Sequence, residues 1–195
     1  MQEVRRSRYR LAGEPAVRSD AAKELLGVLE EQGYDAHLTG FDLLAPYAHQ
    51  FVYDFPHLVY GEPSASAALA YELPAHGFVV GFASPGANPT SPDASRLVLL
   101  RNQGNAEQYG VRGHVAPVEK GWVDTLRESR RGNLEVSYLE LGRILRNLVD
   151  SGADVRYLRR YARQLGYRDQ VEDALDAKRK PATDESRALR SGFSG

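Results

Sequence analysis

A cysteine-free chain of 195 residues with 42% hydrophobic and 26% charged residues has the composition of a folded domain; it excludes wholesale disorder, disulfides and thiolate-held metals, and makes a reducing cytoplasm the expected compartment. No apolar run approaches the ~18 residues that span a bilayer, and the arginine-rich start Met1 to Leu11 has no apolar segment behind it, so neither a membrane span nor a secretion signal is predicted. The net charge of -1 conceals a polarity: residues 1–10 carry four Arg and one Glu, residues 11–119 carry 5 basic and 13 acidic residues, and residues 120–195 carry 16 basic and 12 acidic.

Taken in chain order, Asp20 to Gln32 predicts a helix, with Ala21, Leu25, Val28 and Leu29 on its apolar face, Ser19 or Asp20 as N-cap and Gly33 as its stop. Tyr34 to Leu38 reads as a strand, Thr39-Gly40 as a turn, and Phe41 to Ala48 as a short helix interrupted by Pro46. His57 to Tyr60 is a strand closed by Gly61-Glu62-Pro63, Ser64 is the expected cap of a helix through Ala65 to Leu73, and Gly77 precedes a strand Phe78 to Phe82. Ala83 to Ala94, with three prolines and one glycine, is a loop. Arg96 to Leu100 follows as a buried strand and Val111 to Val115 as another. From there the period turns helical: Pro117 to Glu128, Ser137 to Ser151, Asp154 to Gly166 and Arg168 to Ala177. The polar tail Lys178 to Gly195 is expected to be disordered. Mixed strands and helices first and helices last predict an α+β (mixed α/β) fold, in which residues 1–11 are a basic arm, 12–116 the body, 117–177 a helical subdomain and 178–195 a tail.

The chain offers little catalytic vocabulary. It has no G-x-S-x-G elbow, no G-x-x-x-x-G-K-[ST] or G-x-G-x-x-G phosphate loop, and five histidines (His37, His49, His57, His76, His114) without the H-x-x-x-H or H-E-x-x-H spacing of a metal site. Leu38 to Glu62 has the turn, short helix and strand with which the nucleotidyltransferase fold opens. Two-metal phosphoryl transfer, however, needs paired carboxylates within a few ångströms of each other. Here Asp54 is followed by Phe55 and Pro56 in place of a second acid, and only Asp42 and Glu62 lie nearby. An active metal-dependent nucleotidyltransferase using Asp42, Asp54 and Glu62 is therefore the rival reading, and a body whose chemistry is lost is the leading one, with no metal or cofactor required.

The segment PVEKGWVDTLRE, followed by YLELGRILRNLVDSGADVRYLRRYARQLGYRDQVEDAL, resembles the C-terminal domains of AbiEi-type antitoxins of AbiE (type IV) toxin-antitoxin systems. The resemblance rests on a P-x-E-K-x-x-V-D-x-L helix, here Pro117, Glu119, Lys120, Val123, Asp124 and Leu126. It rests equally on an L-x-R-Y-A element, here Leu158, Arg160, Tyr161 and Ala162, and it extends loosely over residues 20–176. VRRSRYRL at Val4 to Leu11 is similar to the last strand of the winged-helix domain that precedes this region in such antitoxins, with Arg5, Arg6, Arg8 and Arg10 as its wing. The resemblance implies a regulatory, non-catalytic phage-defence protein; family members with that winged-helix domain intact are implied to repress their own operon and to neutralise a nucleotidyltransferase toxin encoded nearby without a tight protein complex.

Arginine placement points the same way. On the helix Asp154 to Gly166, Val155, Leu158, Ala162 and Leu165 share one face, while Arg156, Arg159, Arg160 and Arg163 occupy much of the rest. Arg143 and Arg146 join them if the last two long helices pack antiparallel across Gly152, and Arg127, Arg130 and Arg131 lie on the approach. Clustered guanidinium groups suit phosphate, because each forks onto two oxygens and releases condensed counterions. The expected partner is a nucleic acid, DNA ahead of RNA, or an acidic protein. The competing account is a solvated face paired with Asp150, Asp154 and Asp169. Trp122 and Tyr161 read as core aromatics, and Glu119 as a helix-start acid.

Overall fold

The computed structural model describes residue 17 and residues 19–48, 55–85, 93–104, 110–111 and 113–177. The arginine arm (Arg5, Arg6, Arg8, Arg10), Asp54 and the tail from Lys178 lie outside the described residues.

Helix α1 (Asp20–Gln32) starts at Ser19, whose side chain accepts from the Ala22 amide at 3.0 Å, and ends at Gly33 in the left-handed region. Its buried face is Ala22, Leu25, Val28 and Leu29; Ala21, expected in that stripe, is only half-buried. Strand β1 (Ala36–Thr39) leads into the short helix α2 (Phe41–Leu44), continued by a 3-10 turn at Ala45–Tyr47 that accommodates Pro46. Thr39, expected in a turn, is the last residue of β1 and fully buried. Between β1 and α2, Gly40 has φ 78, and a Cβ there would sit 2.6 Å from Leu58 Cδ1, so both the backbone and the space demand glycine.

Strand β2 (His57–Gly61) is followed by helix α3 (Pro63–Glu72), which begins with Pro63 after an N-cap Glu62 and so one residue before the expected cap at Ser64. Strands β3 (Val79–Phe82) and β4 (Leu97–Asn102) complete a four-stranded sheet of order β1-β2-β4-β3. β1 and β2 are antiparallel, with His37 opposite Tyr60, while β2–β4 and β4–β3 are parallel. The expected strand Val111 to Val115 is not seen among the described residues of that segment. Only Val115 makes a single bridge to Leu38, because one backbone pair, Leu38 N–H to His114 O and Ala116 N–H to Leu38 O, ties this segment to β1 before the chain turns into a helix.

Four helices follow: α4 (Val118–Arg130), α5 (Tyr138–Asp150), α6 (Val155–Leu165) and α7 (Arg168–Ala177). Ser137 and Asp154 cap α5 and α6 through their side chains, and Gly166 stops α6 in the left-handed region. The fold is α+β. One face of the sheet, with Leu38, Val59, Val98 and Leu100, packs on α1 and α3. The other, with Leu58, Tyr60, Leu97 and Leu99, packs on α2 and the C-terminal helices in one continuous core. β3 is an edge strand, and Val79 and Phe82 on it are about half exposed. No helix among the described residues is long and apolar enough to cross a membrane.

Candidate functional site

Every residue of α4 from Val118 to Glu128 is buried, although half of them are polar or charged. A helix enclosed on all sides is ordinarily apolar. This one therefore has to meet its charges inside the protein. Its apolar residues Trp122, Val123 and Leu126 join the core, and Gly121 allows α2 to approach: a Cβ there would lie 3.1 Å from the Gly40 carbonyl oxygen. The polar positions Lys120, Asp124 and Glu128, spaced i, i+4, i+8, form a charged stripe toward β1 and β2.

The Asp124 carboxylate, fully buried, accepts three hydrogen bonds: from Lys120 Nζ at 2.6 Å, from Thr39 Oγ1 at 2.6 Å and from the Tyr161 hydroxyl at 2.6 Å. Lys120 Nζ also donates to the Tyr161 oxygen at 2.9 Å and lies 4.8 Å from the ring centroids of both Tyr60 and Tyr161. One turn on, the Glu128 carboxylate accepts from the Tyr60 hydroxyl and Arg101 at 2.9 Å each and from Asn133 Nδ2 at 2.6 Å. Burial raises the Glu128 pKa against the pull of these donors, and burial together with Asp124 and Glu128 pushes the Tyr60 hydroxyl well above its usual value. Glu119 turns the other way and accepts the Asp154 backbone N–H at 2.7 Å, tying the start of α4 to the cap of α6. The two sequence elements behind the family resemblance thus meet in space, Lys120 and Asp124 of the first against Tyr161 of the second. Glu119 stands in the first turn of α4, as expected of a helix-start acid, and its carboxylate serves the start of α6 as well.

The arginines divide. Arg127 is not a surface contact: it is 9% exposed, with Nε 4.0 Å from Glu128, because α4 is enclosed on that side too. Arg159 forks onto Glu172 of α7, with hydrogen bonds at 2.8 and 2.9 Å, as an ion pair across two packed helices. Arg130 lies over the exposed Tyr138 ring at 5.4 Å, Arg131 is half-buried, and Arg143 pairs at 3.6 Å with Glu140. Arg146, Arg156, Arg160 and Arg163 are exposed. α5 and α6 do not form the antiparallel pair that would merge Arg143 and Arg146 with the α6 arginines. Each packs mainly on α4 and α7, since Gly152 and the Asp154 cap turn the chain between them. What remains on one face of α6 is Arg156, Arg160 and Arg163, at i, i+4 and i+7, opposite Leu158, Tyr161 and Ala162.

Of the carboxylates of the rival reading, the two among the described residues, Asp42 and Glu62, are apart. Asp42 on α2 meets His57 Nδ1 at 2.9 Å, and His57 Nε2 lies 2.9 Å from the Ser95 carbonyl oxygen. Both ring nitrogens face acceptors, so the geometry calls for the doubly protonated imidazolium. Burial opposes that charge, but the hydrogen bond to Asp42, the charge of that carboxylate and the Ser95 carbonyl outweigh it, and the His57 pKa is raised. The line Asp42, His57, Ser95 is not a nucleophilic triad, because Ser95 presents its carbonyl and its hydroxyl is bonded to Asp93. Glu62 is exposed beyond the far end of β2, roughly 16 Å along the strand from His57 at ~3.3 Å per residue. Among the described residues no three His, Asp or Glu side chains gather as a metal site would.

Sequence reasoning missed Thr39, Tyr60, Arg101 and Asn133, which complete the buried stripe, and also His37 and Gln103 at a pocket beside it. No short-range signal marks them: their partners lie up to 85 residues away. No family model, curated protein or solved structure matches the chain.

Proposed function

We propose that this chain acts by binding rather than by catalysis, as an antitoxin-like regulator of a type IV, AbiE-like system, and that α6 presents the surface that meets a nucleic acid, DNA ahead of RNA. The observation that carries the reading is the exposed stripe Arg156, Arg160 and Arg163 on a helix whose opposite face is locked down. Tyr161 sits in the Asp124–Lys120 network and Arg159 is held by Glu172, so the helix is a fixed mount and no backbone ordering is needed for its guanidinium groups to meet phosphates. The charge asymmetry supports it, since the basic excess of the last third stands against an acidic middle. The mixed sheet fits a nucleotidyltransferase-like body without its chemistry: Asp42 is engaged with His57 and Glu62 lies at the other end of β2.

Arg156→Ala, Arg160→Ala and Arg163→Ala together are expected to weaken DNA binding for all sequences alike and to flatten the plot of log K against log salt by roughly 2.7, at ~0.9 for each phosphate no longer neutralised. Arg159→Ala serves as the comparison, with a smaller change. An unchanged salt slope in the triple variant sinks the nucleic-acid surface. For the regulatory role, co-expression with the neighbouring gene is expected to relieve a growth defect caused by that gene alone. Failure to relieve it removes the antitoxin reading.

A further inference from the structure

A pocket of about 330 Å³ opens at one end of the sheet, between the residues entering β1, those leaving β4 and the stretch before Val115. Gly61 and Asn102 mark this end as the one to which the parallel strands β2 and β4 direct their carboxyl termini, the side on which open α/β sheets bind ligands. Gln103, the first residue past β4, is pinned there by its backbone N–H to the Gly61 carbonyl at 2.8 Å.

Two lining side chains, His37 and Gln103, are more than nine-tenths buried, and each leaves one polar atom without a hydrogen-bond partner, Nε2 and Oε1 respectively. Folding rarely tolerates such atoms, and two at one pocket mark a place prepared for something else to meet them. The Gln103 amide nitrogen faces the Asp35 carbonyl at 3.5 Å and its carboxylate at 3.4 Å. Both are acceptors, so the amide cannot be reversed without setting oxygen against oxygen, and Oε1 is the atom left over. His114 donates from Nδ1 to the Ala36 carbonyl at 2.9 Å, which leaves its Nε2 as an acceptor in the neutral ring. Burial, Lys120 and His114 bring the His37 pKa down to about 3, so this imidazole is neutral, and the same Lys120 field weighs against a second cation.

We propose that this pocket binds a neutral, planar nitrogen heterocycle whose ring N–H stands beside an exocyclic amino group, of the guanine nucleoside class. Adjacent ring and amino N–H groups of such a base meet Gln103 Oε1 and the exposed Asp35 carboxylate, and His37 Nε2 takes a further edge position. Tyr34 and His114 supply planar side chains to the lining. The site is separate from the α6 arginines and does not depend on that surface.

Calorimetric titration of the full chain with guanosine, cytidine, uridine and agmatine tests it. Guanosine is expected to bind saturably, with cytidine, whose ring nitrogen beside the amino group is an acceptor, and uridine, which lacks the amino group, each at least about tenfold weaker. Gln103→Leu and the exposed Asp35→Asn should each weaken binding by about tenfold, while the triple α6 arginine variant leaves it unchanged. Circular dichroism of each variant separates lost binding from lost folding. The proposal is overturned by no saturable binding of guanosine at millimolar concentration, by equal binding of cytidine or uridine, by preference for agmatine, or by unchanged affinity in folded Asp35→Asn.

Discussion

Two helices of this protein carry charge in opposite ways. α4 holds Lys120, Asp124, Glu128 and Arg127 inside the protein, each beside a group of opposite charge or a hydrogen-bond donor; α6 holds Arg156, Arg160 and Arg163 outside, against solvent. The same residue classes at the same i, i+4 spacing serve as internal scaffold in one case and as open surface in the other. What differs is the neighbour: β1 and β2 present Thr39 and Tyr60 to α4, whereas only the inner face of α6 is covered, by α4 and α7. Spacing along a helix therefore says which charges share a face, and tertiary packing decides whether that face sees water.

The comparison breaks most sharply at Asp124. Asp124→Ala leaves the Lys120 ammonium buried without its counter-charge and is expected to cost about 3–5 kcal/mol in urea unfolding. Lys120→Met with Asp124→Leu should cost less than the sum of the single variants, because neither charge is then stranded. Additive losses would mean that the pair is less enclosed than its burial indicates.

Acid and base limbs of stability sharpen the comparison next. His37, with a folded pKa of about 3 against 6.5, stays neutral when the unfolded chain takes up a proton, so stability falls as pH drops below 6.5 and until about 3. The slope attributable to it is about 1.4 kcal/mol per pH unit. His57 has the opposite sign. Its folded pKa is raised, so its contribution is fully present below 6.5 and is lost as pH rises through the folded value. These two histidines alone place the stability maximum near pH 6.5; His37→Gln should flatten the acid limb and Asp42→Asn the alkaline one, in unfolding free energies measured from pH 4 to 9.

A smaller effect is expected at Glu128. Glu128→Gln keeps the size but turns one acceptor oxygen into a donor facing Tyr60, Arg101 or Asn133, a loss of about 1.5–3 kcal/mol in the same assay. The smallest belongs to the surface: the triple arginine variant of α6 should shift stability by no more than about 0.5 kcal/mol per site, because exposed charges contribute little. A large loss there would show that α6 is held in place by these arginines and not by its packed face.

Helix ends were legible because their signals are local. Ser19, Ser137, Asp154, Gly33 and Gly166 stand where a donor, an acceptor or a positive φ is needed within four residues. The short strands β2 and β4 were legible from their apolar runs between turn residues, the first starting at His57 as expected and the second at Leu97, because Arg96 closes a 3-10 turn. Val111 to Val115 has the composition of a strand, but β1 offers it a partner at one residue only. The site was less readable. The resemblance noted in the sequence drew attention to Lys120, Asp124 and Tyr161, yet nothing within a few residues of Arg127 tells that it faces inward, and Arg159 reads as exposed until Glu172, thirteen residues later, is brought beside it. His37 and Gln103 carry no pattern, since an unpaired buried atom is a property of the assembled surroundings and not of the chain.

The only tryptophan, Trp122, is buried on α4 and donates its indole N–H to the Leu141 carbonyl oxygen of α5 at 2.9 Å. Nature has thereby installed one fluorophore beside the charged stripe, where two helices cross. Its emission is expected to be blue-shifted in the native state and to move red when α4 and α5 separate, free of overlapping indole signals. A variant that loosens the Asp124 cluster without unfolding the sheet would then declare itself in light before it did in circular dichroism.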